Sequence, residues 1–441
     1  MKRQLLPTPS LALSTRTRIS NSANVVASLV GLLIVLIACW IWNQEPNVGM
    51  VAAPALTLIV ALFVPVSRAL AVVTLLNYPY ALGAYLGALG GITFYPRPPL
   101  SNYAVVAQEQ TLSLLIAFGV CLLLGIAQLF HQAAVRGWKQ FHAYAAGGVE
   151  GNTRRLMLVL SIACIVGLHD AAFLLGNLGS ILNSGRHTFT KEFWVGNGPF
   201  GIVLALVVGI VLISAVFSNR KYRWISIVVL LIFWAPTLVA GSRNYFSVLV
   251  VGALYAAFLA LKNGRSRAIV GALSAVGAIG FSLLPTLWTT NDLVGFNEWI
   301  LPTSSYLPLA LGLFTVEGIG ATPMADQWAL LLPGPLRPFP VNLYAEVFAE
   351  GKFTNVGVAG NPWADAYDQD GFLRTAVFVM TFVFIFLLAV VLRKVHPLLP
   401  FLAFGLMAFW GRSVFWNVAV VLVYAALMLR ICIPVKEIRK M

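Results

Sequence analysis

The sequence predicts an all-α polytopic membrane protein with about twelve transmembrane helices. Of its 441 residues, 59% are hydrophobic and only 10% are charged, whereas a soluble domain carries about 25% charged residues. The apolar residues fall in long runs, and roughly 20 such residues let a helix cross a bilayer. In chain order, the predicted spans are 24–43, 50–66, 69–92, 111–131, 155–177, 198–217, 224–241, 244–261, 268–288, 372–392, 397–411 and 414–432.

Some of these spans are delimited more clearly in the sequence than others. The first is interpreted as a membrane span and not as a cleavable signal peptide, because many further apolar runs follow it. The second and eleventh spans are short, which is compatible with tilted, broken or partly buried helices. Ser67 and Arg68 are the only break between the second and third spans. That division therefore depends on two residues.

The chain carries an excess of 14 positive charges. Such an excess can indicate nucleic-acid binding, but the basic residues lie in short clusters between apolar runs, so no nucleic-acid partner is predicted. When the spans alternate from a cytoplasmic N-terminus, most basic residues lie inside, and only two acidic residues, Glu150 and Glu437, do so. The positive-inside rule thus predicts a multi-pass protein with both termini in the cytoplasm.

This topology divides the chain into three regions. Residues 1–288 hold the first nine transmembrane helices, residues 289–371 form a large extracytoplasmic loop, and residues 372–441 hold the last three helices and a basic cytoplasmic tail. The loop has nine acidic residues but only two basic ones. Its aromatic and aliphatic content argues against disorder, and we expect a folded cap with short amphipathic helices. No internal repeat is evident, which weakens an interpretation as a transporter built from repeated halves.

The cysteines give no sign of a metal centre or a disulfide framework. They are widely spaced within apolar segments, and no CxxC or His/Cys cluster exists. Neither a metal nor a cofactor is therefore predicted. The four positions are Cys39, Cys121, Cys164 and Cys432.

Two arginines lie in similar turns on the predicted outer face. Arg243 follows Gly-Ser between the seventh and eighth spans, and Arg412 follows Gly between the eleventh and twelfth. Each precedes a helix whose N-terminus offers unpaired N–H groups to an anion, and the guanidinium fork suits phosphate. If the turns are adjacent, Arg243 and Arg412 form a pyrophosphate site. Arg337, in a proline-rich part of the loop, is a third candidate. The alternatives are arginines that reach lipid headgroups and, for Arg337, an ordinary loop charge.

Acidic and aromatic residues of the large loop are the remaining candidates. A carboxylate can act as general base toward an acceptor hydroxyl, and Asp365 and Glu346 are the predicted catalytic residues, with Glu317, Asp326 and Glu350 as alternatives. Aromatic and amide side chains can bind sugars, although tryptophan and tyrosine also serve as anchors at the membrane interface. The predicted substrate-binding residues are Tyr367, Trp363, Asn361 and Trp328.

Three stretches resemble the Wzy-type polymerases of O-antigen and capsule repeat units, which are related to the O-antigen ligases. The turn AGSRNYF (240–246) is similar to their Gly-Ser/Thr-Arg turn. LLPGPLRPFP, followed by GVAGNPWADAYDQDGFL, is similar to their large outer loop, and FWGRS is similar to a late outer turn with an arginine. The resemblance covers roughly residues 220–430, while the first half matches only in hydropathy.

The resemblance implies a GT-C-like architecture and a place in the bacterial inner membrane. It implies polymerisation of undecaprenyl-pyrophosphate-linked oligosaccharides on the outer face without a metal, with a flippase and a chain-length regulator as partners. Arg243 and Arg412 match the family's arginines, and Arg337 does so less closely. The ligases use a histidine in this loop, and its absence here favours a polymerase over a ligase.

Two other functions stay open from the sequence. A transporter or flippase of lipid-linked sugars would need polar residues deep in several spans, and the spans here are nearly free of them. A ligase would differ from a polymerase only in its acceptor.

Overall fold

The computed structural model describes residues 10–89, 103–146, 153–177, 199–218, 222–239, 244–261, 263–266, 371–410 and 417–432, together with residues 269, 271 and 363. These residues are almost entirely helical and include no strand, which confirms the all-α class for the described part of the chain. The long helices are α1 (Ser10–Gln44), α2 (Pro46–Phe63), α3 (Arg68–Leu89), α4 (Tyr103–Leu123), α5 (Ile126–Ala146), α6 (Thr153–Gly176), α7 (Pro199–Ser218), α8 (Arg223–Val239), α9 (Asn244–Ala260), α10 (Gly371–Leu392), α11 (Leu399–Ala408) and α12 (Asn417–Cys432).

Several helices have the properties of membrane spans. Within the described part of the chain, five are long and apolar enough to cross a bilayer: Val25–Gln44, Pro46–Phe63, Ala104–Leu123, Leu156–Gly176 and Gly371–Leu392. Large apolar side chains cover the outside of α1 and α2, where Leu29, Val51 and Leu62 are each more than half exposed. An apolar surface of this kind suits contact with lipid. The chain is a helical membrane protein, and its twelve spans and GT-C-like architecture stay predictions.

Most helices coincide with predicted spans to within a few residues. The agreement is closest for α6, α7, α9 and α10. The predicted ninth span, 268–288, lies outside the described residues except at 269 and 271. The predicted loop, 289–371, also lies outside them, except for Trp363 and Gly371.

The short break between the second and third spans is confirmed. Helix α2 ends at Phe63, and a single 3-10 turn, Pro65–Ser67, leads into α3. Pro65 favours this break because proline cannot donate the backbone hydrogen bond that a continuing helix needs. The Arg68 side chain then turns back, and its Nε donates to the Ala61 carbonyl at 3.1 Å. The interaction satisfies a carbonyl in the last turn of α2.

The predicted fourth span, 111–131, is wrong as a single helix. The structure divides it at Leu124 and Gly125, so that α4 begins eight residues earlier, at Tyr103, and α5 follows as a separate helix. Gly125 has a φ of +66°, a conformation that glycine adopts at no steric cost and that commonly ends a helix. Hydropathy cannot detect this change of direction, because apolar residues flank it on both sides.

Helix α5 is amphipathic and packs against the bundle along one face. It buries Phe130, Ala134 and Phe141 and exposes Arg136 and Lys139. Its partners include the Pro65–Ser67 turn and helices α9, α10 and α11. An amphipathic helix with basic residues on its polar side is typical of the membrane interface.

Helix α10 defines two opposite ends of the described bundle. Arg374 and Arg393 lie near its two termini, about 28 Å apart at the helical rise of 1.5 Å per residue. We call these the Arg374 end and the Arg393 end. Asn47 and Gln108 come from segments predicted to lie outside, and Arg374 lies near the outer end of the predicted tenth span. Hydrogen bonds and an ion pair place Asn47 and Gln108 at the Arg374 end. The predicted grouping of these segments agrees with the structure, while the direction across the membrane stays a prediction.

Candidate functional site

A chain of polar contacts joins the starts of α2 and α4 at the Arg374 end. The Asn47 side-chain oxygen accepts from the Tyr85 hydroxyl at 2.7 Å and from the Gln108 amide at 2.8 Å. The residue after Gln108 is Glu109, which pairs with Arg374 of α10. Side-chain hydrogen bonds and one ion pair therefore link helices α2, α3, α4 and α10 at this end.

Glu109 and Arg374 form the ion pair of this network. The Arg374 Nη1 atom lies 2.8 Å from the Glu109 Oε2 atom, and the two side chains are 14% and 38% exposed, respectively. The Arg374 guanidinium also lies over the Trp363 ring, with Cζ 5.9 Å from the ring centroid. A cation over an indole ring is attracted by the ring quadrupole. Arg374 thus connects α4 to the residue that comes just before the predicted Asp365–Tyr367 site.

Aromatic rings continue from Trp363 into the bundle. Trp363 meets Phe378 edge to face, with centroids 5.3 Å apart, and Phe378 contacts Trp410 at 4.6 Å. All three side chains are essentially fully buried. Pairs of this kind contribute about 0.5–1.5 kcal/mol beyond the area they bury. Through Phe378, these contacts connect Trp363 to Trp410. Trp363 belongs to the predicted loop, and Trp410 lies two residues before Arg412.

Helices α9 and α11 cross with their backbones in close approach. A Cβ atom on Gly252 would lie 2.6 Å from the Phe401 carbonyl oxygen, and one on Gly405 would collide with the Val248 carbonyl oxygen. Residues this close require glycine, since any side chain would force the helices apart. The order of these contacts, Val248 with Gly405 and Gly252 with Phe401, makes the two helices antiparallel.

The antiparallel arrangement has a direct consequence for the ends of both helices. The start of α9, at Asn244, lies at the same end of the pair as Trp410, which follows the last turn of α11. Asn244 is the residue after Arg243, and Arg412 comes two residues after Trp410. Trp410 in turn packs against Phe378 beside Trp363. The described residues next to Arg243, Arg412 and Asp365 therefore lie toward the Arg374 end.

One side chain of α3 ties this end of α11 to the rest of the bundle. The Asn77 amide nitrogen donates to the Met407 carbonyl at 2.8 Å and to the Val73 carbonyl of its own helix at 2.8 Å. Met407 lies in the last turn of α11, where carbonyls have no partner further along the helix. Asn77 is buried, so the interaction is shielded from water.

Of the predicted site residues, only Trp363 lies within the described part of the chain. Its side chain has no exposed surface and packs as a core residue in the structure, so its contact with a sugar stays a prediction. The others fall outside the described residues: Asp365, Glu346, Arg243, Arg412, Arg337, Tyr367, Asn361 and Trp328.

Sequence reasoning missed Arg374 and Glu109. Arg374 lies in the first turn of an apolar helix on the predicted outer side, where the positive-inside rule disfavours arginine. The presence of Arg374 there could have indicated an ion pair, because an arginine at the end of an apolar membrane helix needs a partner. Glu109 carried no signal of its own, since 265 residues separate the two.

The fold defines a helical membrane protein whose described residues include a polar network and a cluster of buried aromatic rings at one end. The chain matches no protein-family model, no curated protein and no solved structure.

Proposed function

We propose that the protein is an integral-membrane glycosyltransferase of the bacterial inner membrane. It would join undecaprenyl-pyrophosphate-linked oligosaccharide repeat units into a surface polysaccharide on the outer face. The growing glycan on its lipid pyrophosphate is the donor, and a new lipid-linked repeat unit is the acceptor. A flippase would supply these units, and a chain-length regulator would act on the product.

The antiparallel crossing of α9 and α11 is the observation that carries this proposal. Through it, the described neighbours of Arg243 and Arg412 come to one end of the helix pair, as a shared pyrophosphate site requires. Trp363, just before Asp365, reaches the same end through Phe378 and Trp410. The described neighbours of Arg243, Arg412 and Asp365 thus support a shared site, in which the two arginines and the carboxylate would act together.

The chemistry follows from the charges that change during transfer. A hydroxyl of the acceptor sugar attacks the anomeric carbon of the donor, and its proton passes to a carboxylate, for which Asp365 and Glu346 are the candidates. The bond between the anomeric carbon and the phosphate oxygen breaks, and undecaprenyl pyrophosphate leaves with its negative charge. Arg243 and Arg412, with Arg337 as a third candidate, would stabilise that growing charge in the transition state. Guanidinium groups can do this without a metal.

Reconstitution tests the proposal. Purified protein in proteoliposomes receives lipid-linked repeat units isolated from a producing strain, and the products are separated on a gel. We expect a ladder whose steps equal one repeat unit, with undecaprenyl pyrophosphate released for each step. Units that stay unjoined, with the same protein active in a transport assay, would contradict the proposal.

A transporter is the second candidate, and one described residue favours it. Asp170 is fully buried in α6 beside His169, with 3.3 Å between Nδ1 and Oδ1. An ionisable pair within a membrane helix often marks an ion or substrate path. Counter-transport of lipid-linked units without any joining would support this function. A ligase, the third candidate, would transfer glycan only when a different acceptor is added.

A further inference from the structure

Two residues of α10 hold the Trp363 ring. The Arg374 Cζ atom lies 5.9 Å from the ring centroid, and the Phe378 ring meets it edge to face, with centroids 5.3 Å apart. Arg374 and Phe378 are four residues apart, a spacing that puts both side chains on the same face of a helix. Because the Trp363 side chain has no exposed surface, the indole ring is enclosed against the start of α10.

Arg374 is itself fixed from a second helix. Its Nη1 atom lies 2.8 Å from the Glu109 Oε2 atom of α4, and the arginine side chain is only 14% exposed. A charge-assisted hydrogen bond of this length is stronger than a neutral one. Thr375, the next residue of α10, shares a hydrogen bond with Ser113 of α4, with 3.1 Å between their hydroxyl oxygens. Helix α4 therefore helps to keep the guanidinium over the Trp363 ring.

The aromatic cluster around Trp363 continues to Trp410, because the Phe378 and Trp410 rings have centroids 4.6 Å apart. Asp365 comes two residues after Trp363. Arg412 likewise comes two residues after Trp410. Two residues of extended chain span at most about 7 Å, so each of these Cα atoms lies within that distance of the Cα atom of its tryptophan. The packing of Trp363 therefore limits how far Asp365 can lie from Arg412.

We propose that Trp363 is a positioning residue for glycosyl transfer, held in place by Arg374 and Glu109. The inference rests on the proposed function, in which Asp365 is a candidate base and Arg412 a pyrophosphate ligand. A general base must lie within hydrogen-bond reach of the acceptor hydroxyl, and a misplacement of about 1 Å can lower the rate about 10²-fold. In this role Trp363 acts through Asp365, and its side chain stays buried during transfer.

Steady-state kinetics in the proteoliposome assay tests this role. We expect Trp363→Leu to lower kcat for joining by about tenfold or more, while KM for the lipid-linked unit changes little because the pyrophosphate-binding arginines are intact. Trp363→Phe keeps an aromatic ring beside Phe378 and should restore most of kcat. Arg374→Gln should lower kcat in the same way, and Arg374→Lys, which keeps a cation for the indole ring, should restore part of it.

Trp138→Leu is the matched control. It removes an indole ring that meets Phe401 edge to face, in helix α5 near the Arg393 end, where the Arg393 Nη1 atom donates to the Gln140 side-chain oxygen at 3.4 Å. We expect this variant to lose packing energy and to keep kcat. Equal losses of kcat in Trp138→Leu and Trp363→Leu would overturn the proposal, because a general loss of stability would then explain both.

Hydrogen–deuterium exchange separates this inference from the proposed function. Exchange in the peptide that spans residues 361–370 is measured without substrate, and we expect it to be faster in Trp363→Leu and Arg374→Gln than in wild type. If wild type joins no units while this difference is seen, the proposed function fails, and with it the catalytic role, but the contacts that hold Trp363 stand. Unchanged exchange in both variants or unchanged kcat in Trp363→Leu would overturn the proposal. So would a rise in KM alone, which would assign Trp363 to direct contact with the sugar.

Discussion

At the scale of the residue, the Asn77 side chain joins α3 to the end of α11. Its amide binds the Met407 carbonyl, and its removal leaves that buried carbonyl without this donor. We expect Asn77→Leu to lower the free energy of unfolding by about 1–3 kcal/mol. Thr74→Val is the matched control, because Thr74 bonds only to Leu70 of its own helix. Titration with SDS in mixed micelles measures the free energy of unfolding of both variants. An equal decrease in the two variants would contradict this role of Asn77.

The ion pair between Glu109 and Arg374 makes a separate prediction. A double-mutant cycle with Glu109→Gln and Arg374→Gln should give a coupling free energy of about 0.5–1 kcal/mol, since both side chains keep some contact with solvent. Because salt screens such a pair, the coupling should fall as salt concentration rises. Unfolding measured at low and high salt checks this. A coupling near zero under both conditions would mean that the pair does not stabilise the bundle.

The candidate site illustrates what residue patterns can and cannot reveal. Arg243 and Arg412 attract attention in the sequence because each interrupts apolar sequence shortly after a glycine; both lie outside the described residues, and their role stays a prediction. The pairing of Glu109 with Arg374 was not predictable, because it depends on how α4 and α10 pack and not on their spacing. Nor could the sequence decide between packing and sugar contact for Trp363. That distinction depends on neighbours such as Phe378, which are fixed only by the fold.

At the scale of the element, the crossing of α9 and α11 depends on two glycines. A methyl group at Gly252 or Gly405 must displace a carbonyl oxygen of the facing helix, and overpacking of this kind costs about 1–3 kcal/mol. Gly252→Ala and Gly405→Ala should therefore lower the apparent melting temperature. Gly176→Ala is the control, because a Cβ atom there meets nothing within 4 Å. Melting temperatures unchanged in all three variants would contradict the close crossing.

Helices α4 and α5 show why element boundaries were only partly predictable. Hydropathy located the apolar stretch correctly but extended it through Gly125 to His131. The positive φ of Gly125 separates a buried spanning helix from an amphipathic one, and composition alone does not encode that angle. By contrast, the break between the second and third spans was predictable because Ser67 and Arg68 interrupt the apolar run, although α2 ends earlier, at Phe63, and Arg68 already belongs to α3.

At the scale of the whole molecule, the two ends of the bundle should face opposite sides of the membrane. In a variant with all native cysteines replaced by alanine, Gln108→Cys reports on the Arg374 end and Lys139→Cys on α5 near the Arg393 end. We expect a membrane-impermeant maleimide to label Gln108→Cys in spheroplasts, because the positive-inside rule puts the basic end in the cytoplasm. Lys139→Cys should react only after lysis. The reverse pattern would overturn the predicted topology.

The central claim is that Arg243 and Arg412 act together on one pyrophosphate. The most direct measurement is the glycan length distribution in a producing strain that carries Arg243→Ala, Arg412→Ala, both changes, or Arg→Lys at either position, with expression matched. Removal of one such group typically costs 10²–10³ in rate, so we predict that each alanine variant leaves mainly single repeat units. The double variant should be little worse than either alone, and lysine should restore little because it lacks the bidentate fork. Long glycan chains at normal levels in both alanine variants would contradict the claim.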